Sequence, residues 1–126
     1  MYWNWKQNFA RPGVYPGSFL VFWKMNRRHR PLQEFAMRFF ELPEKGRVLD
    51  VGCGGGSFIA MMLKRAPETQ FHGVDYSPVS VKKSLSFNRG AVRDGQVKIV
   101  QGSVSALPFE PDFFDLVTAS ETIYFW

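Results

Sequence analysis

The chain has 126 residues, 45% of them hydrophobic and 17% aromatic, and a formal net charge of +5. That length is ample for one small domain and too short for two, and the apolar share can build a core. A single cysteine, Cys53, excludes an intramolecular disulfide framework and is compatible with a reducing, cytoplasmic setting.

The positive charge is concentrated at the beginning. Residues 1–38 hold seven Lys or Arg against Glu34 alone, whereas the remainder holds nine bases against ten acids. Trp3, Trp5, Phe9, Tyr15 and Trp23 are interleaved with that charge. Such interleaving suits a surface that tracks a nucleic-acid backbone and stacks bases. The favoured reading is plainer: residues 1–30 form an aromatic, basic arm over a cleft, because Pro12, Gly13, Pro16 and Gly17 mark a loop rather than a platform. A basic mouth that draws in an anionic small substrate lies between the two. No charged leader with a long apolar core is apparent, and Phe19–Trp23 is too short to span a bilayer, so no membrane partner is expected. His29 is expected at the start of a helix as a surface or capping residue, with a role as a base the lesser alternative.

Residues 31–126 form the main domain. Between Arg47 and Phe58 the chain reads RVLDVGCGGGSF. Val48, Leu49 and Val51 suit a buried parallel strand. Gly52, Gly54, Gly55 and Gly56 then allow a tight turn with close backbone approach to a ligand. From Ser57 the pattern is helical through Phe58, Ile59, Met62, Leu63 and Ala66, and it stops before Pro67. Strand, glycine turn and helix make the first half of a nucleoside-binding βαβ unit. Asp50 narrows the nucleoside. A carboxylate in that crevice repels a pyrophosphate and suits a cation. The dinucleotide spacing also fails, since Ser57 stands where the third glycine is required.

Phe71–Asp75 is a second apolar strand, and its closing acid, 19 residues beyond Gly56, is placed to bond ribose hydroxyls. Ser77 and Pro78 read as N-cap and first residue of a helix across Val81 and Leu85. Val97–Val100 is a third strand and Phe114–Ala119 a fourth. Alternating strands and helices predict an α/β fold, an open parallel Rossmann-like sheet of about four strands with flanking helices. Ligands then bind at the carboxyl ends of the strands, where the glycine turn, Asp75, Ser103 and Ser120 fall. His72 is expected to be structural. No His, Cys and acid cluster has metal-ligand spacing, so no metal is expected.

VLDVGCGGG, GVDYS, GSVSALPF and FDLVTASETIYFW, in this order and spacing, resemble the motifs of the class I S-adenosylmethionine-dependent methyltransferases, in particular the small-molecule, ubiquinone-biosynthesis-type branch. The resemblance covers roughly Met25 to Trp126. It implies that the Asp50–Gly56 loop, including Gly52, Cys53, Gly54 and Gly56, holds the methionine part of S-adenosyl-L-methionine. It implies further that Asp75 binds the ribose diol, that Tyr76 lies against the adenine, and that Ser103 and Val104 meet its edge. Ser120 joins this cofactor set at the fourth strand. Met25–Leu42 looks like the helix preceding the first motif in such enzymes. Glu121 and Tyr124 fall where the family meets the transferred methyl group or the substrate.

Two departures from the family pattern matter. Ser103 replaces the usual aspartate at the adenine amino group, which weakens that bond by about 1 kcal/mol because the acceptor is neutral. The sequence also stops just after the fourth strand, where the family continues with three more strands. That implies the N-terminal half of a catalytic domain, with its fourth strand an exposed edge that invites a homo-oligomer. The expected function is S-adenosylmethionine-dependent methyl transfer to a small molecule by proximity, with S-adenosyl-L-homocysteine as product and no general base identified. The alternatives are a catalytically inactive binding remnant or interaction module, and a nucleic-acid methyltransferase using the basic arm. NAD-dependent oxidoreduction is disfavoured by Asp50.

Overall fold

The computed structural model describes residues 18–120, with side chains described from Arg27 onward. In chain order the elements are α1 (Ser18–Ala36), β1 (Arg47–Val51), α2 (Ser57–Arg65), β2 (Gln70–Asp75), α3 (Pro78–Phe87), α4 (Arg89–Arg93), β3 (Val97–Gln101) and β4 (Leu116–Thr118). The four strands are parallel in the order β3-β2-β1-β4. The chain therefore steps outward from β1 to β2 and β3, then returns to the other side of β1. Strand order reverses at β1, and open α/β sheets bind ligands at such a reversal.

Alternation along the strands gives the sheet two different faces. On one, Val48, Phe71, Val97 and Ile99 pack with Phe58, Ile59, Met62 and Ala66 of α2 and its exit, and with Met37 from the turn after α1. Each of the buried Val, Ile, Phe and Met side chains contributes about 1.5–3 kcal/mol. Gly73 makes the close fit possible. A β-carbon there would come within 2.8 Å of Ile59 and Ile99 and 2.9 Å of the Cys53 sulfur. On the other face, Leu49, Val51 and Val74 are covered by Val104, Phe109 and Phe114 from the loop between β3 and β4. His72 sits on this face against Phe109, Phe113 and Phe114, with ring centroids 5.9, 5.6 and 5.1 Å away. Burial pushes its pKa down, and Lys98 and Arg47 push the same way. It is a packing residue, as the sequence suggests.

Local chemistry sets the element ends. α2 stops at Arg65, with Lys64 and Arg65 in its last turn, where cations complement the helix dipole. Ser77 caps α3 by accepting from the Ser80 amide at 3.3 Å, and Pro78 opens the helix.

Two sequence expectations change. The first helix is displaced from Met25–Leu42 to Ser18–Ala36. After Ala36 the chain tightens into three-residue turns, with Arg38 and Phe39 amides bonded to the Phe35 and Ala36 carbonyls. His29 consequently lies within the helix rather than at its start, and the helix runs unbroken across the division between residues 30 and 31. The fourth strand is shorter than Phe114–Ala119. Phe114 leaves the ladder to pack on His72 and Phe109, and the Asp115 carboxylate accepts the Arg47 amide at 2.8 Å.

Candidate functional site

The glycine turn is fastened to the end of β2. Gly52 and Cys53 amides both donate to the Val74 carbonyl, at 2.7 and 3.1 Å. Gly54 and Gly56 then take left-handed backbone angles, φ 54° and 82°, which favour glycine. Their surroundings differ. A β-carbon on Gly56 would strike the Ser84 and Asn88 side chains and reach within 3.0 Å of the Ser84 Cα, so this glycine seats α2 against α3. A β-carbon on Gly54 would meet nothing within 4 Å, so its outer side is open. The turn leads into α2, whose N-cap Gly56 provides no side-chain hydrogen bond. The first amides of a helix lack intrahelical acceptors and favour anionic oxygens.

Asp75 closes the other side of the turn. Its Oδ2 accepts the Gly54 amide at 2.8 Å and its Oδ1 accepts the Ser77 amide at 2.9 Å. One half-buried carboxylate thus joins the glycine turn, β2 and the start of α3. Burial pushes its pKa up, while the Ser77 and Gly54 amides and the Ser80 hydroxyl oppose that shift. A carboxylate has about four lone-pair sites, so these bonds leave acceptor capacity for a further donor. The Asp75 carbonyl also accepts the Gly102 amide at 3.0 Å, which brings the exit of β3 alongside.

Tyr76 follows as an exposed side chain, its carbonyl accepting from Gln101 Nε2 at 3.1 Å. Beyond Gly102, Ser103 is half-buried in a tight turn. Its Oγ lies 2.8 Å from Ser105 Oγ and accepts the Ser105 amide at 3.3 Å. Val104 turns under the sheet onto the Leu49, Val51 and Val74 cluster. Ser120 is half-buried two residues beyond Thr118. Glu121 and Tyr124 lie outside the described residues.

Asp50 departs from the open position that its motif suggests. It is only 2% exposed, and its Oδ1 accepts from Thr118 Oγ1 at 2.8 Å. Desolvation pushes its pKa up to about 7, the Thr118 bond opposes the shift, and the charge of Asp75 adds to it. Its carboxylate is therefore a covered group whose ionisation depends on its surroundings, rather than a fixed charge facing solvent. Cys53 presents its backbone to the turn while its side chain points inward. The sulfur is buried 3.9 Å from Ser84 Oγ, and burial raises the thiol pKa well above its usual value.

The structure thus joins Asp50, the glycine turn and Asp75 into one unit, with Tyr76 and Ser103 at its rim. Thr118 was missed by sequence reasoning. Its signal was a lone hydroxyl in an apolar strand, and only the β1–β4 register places it beside Asp50. Among the described residues no group of His, Cys, Asp and Glu is placed to hold a metal ion. Two hollows of about 460 Å³ lie away from this unit, one lined by Lys45, Arg47 and Glu68 and the other by Leu107, Phe109 and Phe113.

Comparison with known proteins bears on this unit. The family pattern described as a methyltransferase domain matches residues 48–126. Demethylmenaquinone methyltransferase of Bacillus subtilis (strain 168) is 30% identical over 96 residues, covering 73% of this chain and 40% of the relative. Trans-aconitate 2-methyltransferase of Streptomyces avermitilis is 26% identical over 100 residues, 78% of this chain and 36% of that protein. The chain thus spans well under two thirds of the length of these relatives. The structure of geranyl diphosphate C-methyltransferase from Streptomyces coelicolor A3(2), in complex with S-adenosyl-L-homocysteine, shares the fold with a TM-score of 0.65 at 18% identity. That likeness covers 87% of this chain and 43% of that one. Because the family pattern extends over more than half of the sequence and takes in the whole glycine-turn unit, the chain belongs to the class I S-adenosylmethionine-dependent methyltransferases.

Proposed function

We propose that this chain binds S-adenosyl-L-methionine across the glycine turn and Asp75, as the cofactor-holding part of a small-molecule methyltransferase. The observation that carries the reading is the Asp75 carboxylate. It clamps the Gly54 and Ser77 amides and keeps acceptor capacity beside the open side of Gly54. A vicinal diol donates to such a carboxylate, and a backbone without a β-carbon admits the ligand closely.

In this reading the first turn of α2 and the open side of Gly54 receive the amino-acid end of the cofactor, and Asp75 orients the ribose. Tyr76 covers the adenine, Ser103 and the Val104 backbone border its edge, and Ser120 closes the site just beyond β4. Asp50 lies beneath the turn and adds negative potential when ionised. When bound, the cofactor supplies a methyl group on a sulfonium with a neutral thioether as leaving group. The protein contributes by fixing the methyl donor in line with the acceptor and by excluding water. No described side chain is assigned as a general base. The small-molecule acceptor is supported by relatives named for demethylmenaquinone, trans-aconitate and geranyl diphosphate. The inactive-remnant and nucleic-acid alternatives gain no support from these likenesses.

Titration calorimetry with S-adenosylmethionine, S-adenosylhomocysteine and NAD tests the proposal. Heat of binding with both adenosyl ligands and none with NAD is expected. Binding of NAD alone would overturn it.

A further inference from the structure

The outward face of α1 carries a feature that cofactor binding does not use. Leu32, Phe35 and Phe39 are 46%, 52% and 73% exposed, although all three are large and apolar. Single exposed apolar residues are ordinary, whereas a contiguous set is not. These are contiguous. Leu32 and Phe35 are one helical turn apart, and the Phe35 and Phe39 rings meet edge-on with centroids 4.9 Å apart. By helical geometry Arg28, Leu32 and Phe35 fall within about 60° of one another, and Phe39 joins them from the turn that follows the helix. The opposite side is the one that holds the helix to the molecule, with Gln33 buried on it and Met37 buried in the turn that follows. Among the described residues the outer, apolar side of α1 is uncovered.

The charge around this stripe selects its partner. Residues 18–38 contain five Lys or Arg against Glu34 alone, and Glu34 is paired with Arg30 at 2.9 Å. Arg28 and Arg38 flank the stripe with exposed side chains, and Glu41 is the next acid beyond Phe39. A second copy docked here would bring like-charged helices together across a two-fold axis. Three side chains also offer far less than the roughly 800 Å² per partner of a stable interface. A single-stranded nucleic acid wants flat rings open for stacking, and here two rings are turned edge-on to each other.

We propose that the outer face of α1 and the turn that follows it dock on an anionic lipid surface, with Leu32, Phe35 and Phe39 inserted at the headgroup boundary and Arg28 and Arg38 reaching lipid phosphates. Arginine stems lie along apolar surface while their heads stay in the polar layer. Insertion plus electrostatic attraction are the two signals that hold an interfacial helix. No described helix is long and apolar enough to cross a membrane, and none is needed, because the helix lies in the plane of the surface. The sequence alone suggested no membrane partner; the exposed face of α1 argues for one. This inference is independent of cofactor binding, and its failure leaves that reading untouched.

The test is flotation of the full chain with vesicles of equal parts phosphatidylcholine and phosphatidylglycerol, beside vesicles of phosphatidylcholine alone. Binding to the mixed vesicles is expected, weakened about tenfold or more on the neutral ones and by added salt. The triple variant Leu32→Ser, Phe35→Ser, Phe39→Ser should lose about tenfold or more in binding while keeping its thermal midpoint, because these side chains support no core. Arg28→Gln with Arg38→Gln should lose less, and the remaining binding should be less sensitive to salt. No binding to the mixed vesicles, or equal binding by the triple variant, would overturn the proposal. So would a triple variant that dissociates an oligomer or loses single-stranded RNA, with no change on vesicles.

Discussion

Two carboxylates divide the work at the site. Asp75 is bonded by two backbone amides and faces the rim, whereas Asp50 is covered and bonded by one hydroxyl. Replacing Asp75 by Asn removes the charge and leaves one acceptor oxygen for two amides. Affinity for S-adenosylmethionine should fall by about 1.5–3 kcal/mol, the worth of a hydrogen bond to a charged group, in calorimetry. Unchanged affinity would remove Asp75 from the ribose role. Asp50 acts on stability. Its folded pKa of about 7 exceeds the ordinary 3.8, so between these values the folded state holds a proton that the unfolded state has released. The resulting contribution is complete below about pH 4 and is lost as pH rises through about 7, a change of a few kcal/mol. His72, with its lowered pKa, acts in the opposite sense, costing stability as pH falls below about 6.5. The measurement is therefore the difference between wild type and Asp50→Asn in urea midpoint across this range. That difference should change steadily with pH, and a constant difference would contradict the burial argument. Ser103→Asp restores a charged acceptor beside the adenine position. It should tighten adenosyl binding by about 1 kcal/mol, and weaker binding would remove Ser103 from the adenine edge.

At the level of elements, the glycine turn was the most legible part of the chain. Alternation in RVLDV, four glycines and a helical pattern ending at Pro67 leave one local solution, and the observed β1 and α2 follow it. The distinct tasks of the glycines were not legible, because they depend on what packs opposite. Gly56 faces Ser84 and Asn88 of the α3–α4 corner, 28 and 32 residues later in the chain. Gly56→Ala should destabilise the fold by about 2–4 kcal/mol, combining overpacking with a left-handed backbone angle. A denaturation midpoint like that of wild type would show that α2 shifts freely. Helix α1 was placed too late in the sequence. Its expected bounds came from the resemblance rather than from caps in the residue pattern, and Pro31 stands within the helix with its side chain exposed. The brevity of β4 had the opposite origin. Phe114 has strand character by composition, but the aromatic cluster around His72 takes it from the ladder.

For the molecule as a whole, the parallel sheet was readable from the spacing of apolar runs, whereas the return of β4 to the far side of β1 was not, because strand order has no local signal. The burial of Asp50 was not readable, since it needs the β1–β4 register that puts Asp50 opposite Thr118. Among the described residues β4 pairs only with β1, and Val117 is 56% exposed on it. The Asp75 clamp carries a last consequence, for timing rather than shape. Because one carboxylate fastens a turn, a strand and a helix, a ligand diol that steadies it also steadies the amides of Gly54 and Ser77. Filling the site then appears as slowed deuterium uptake at those two positions, with the strands themselves unmoved.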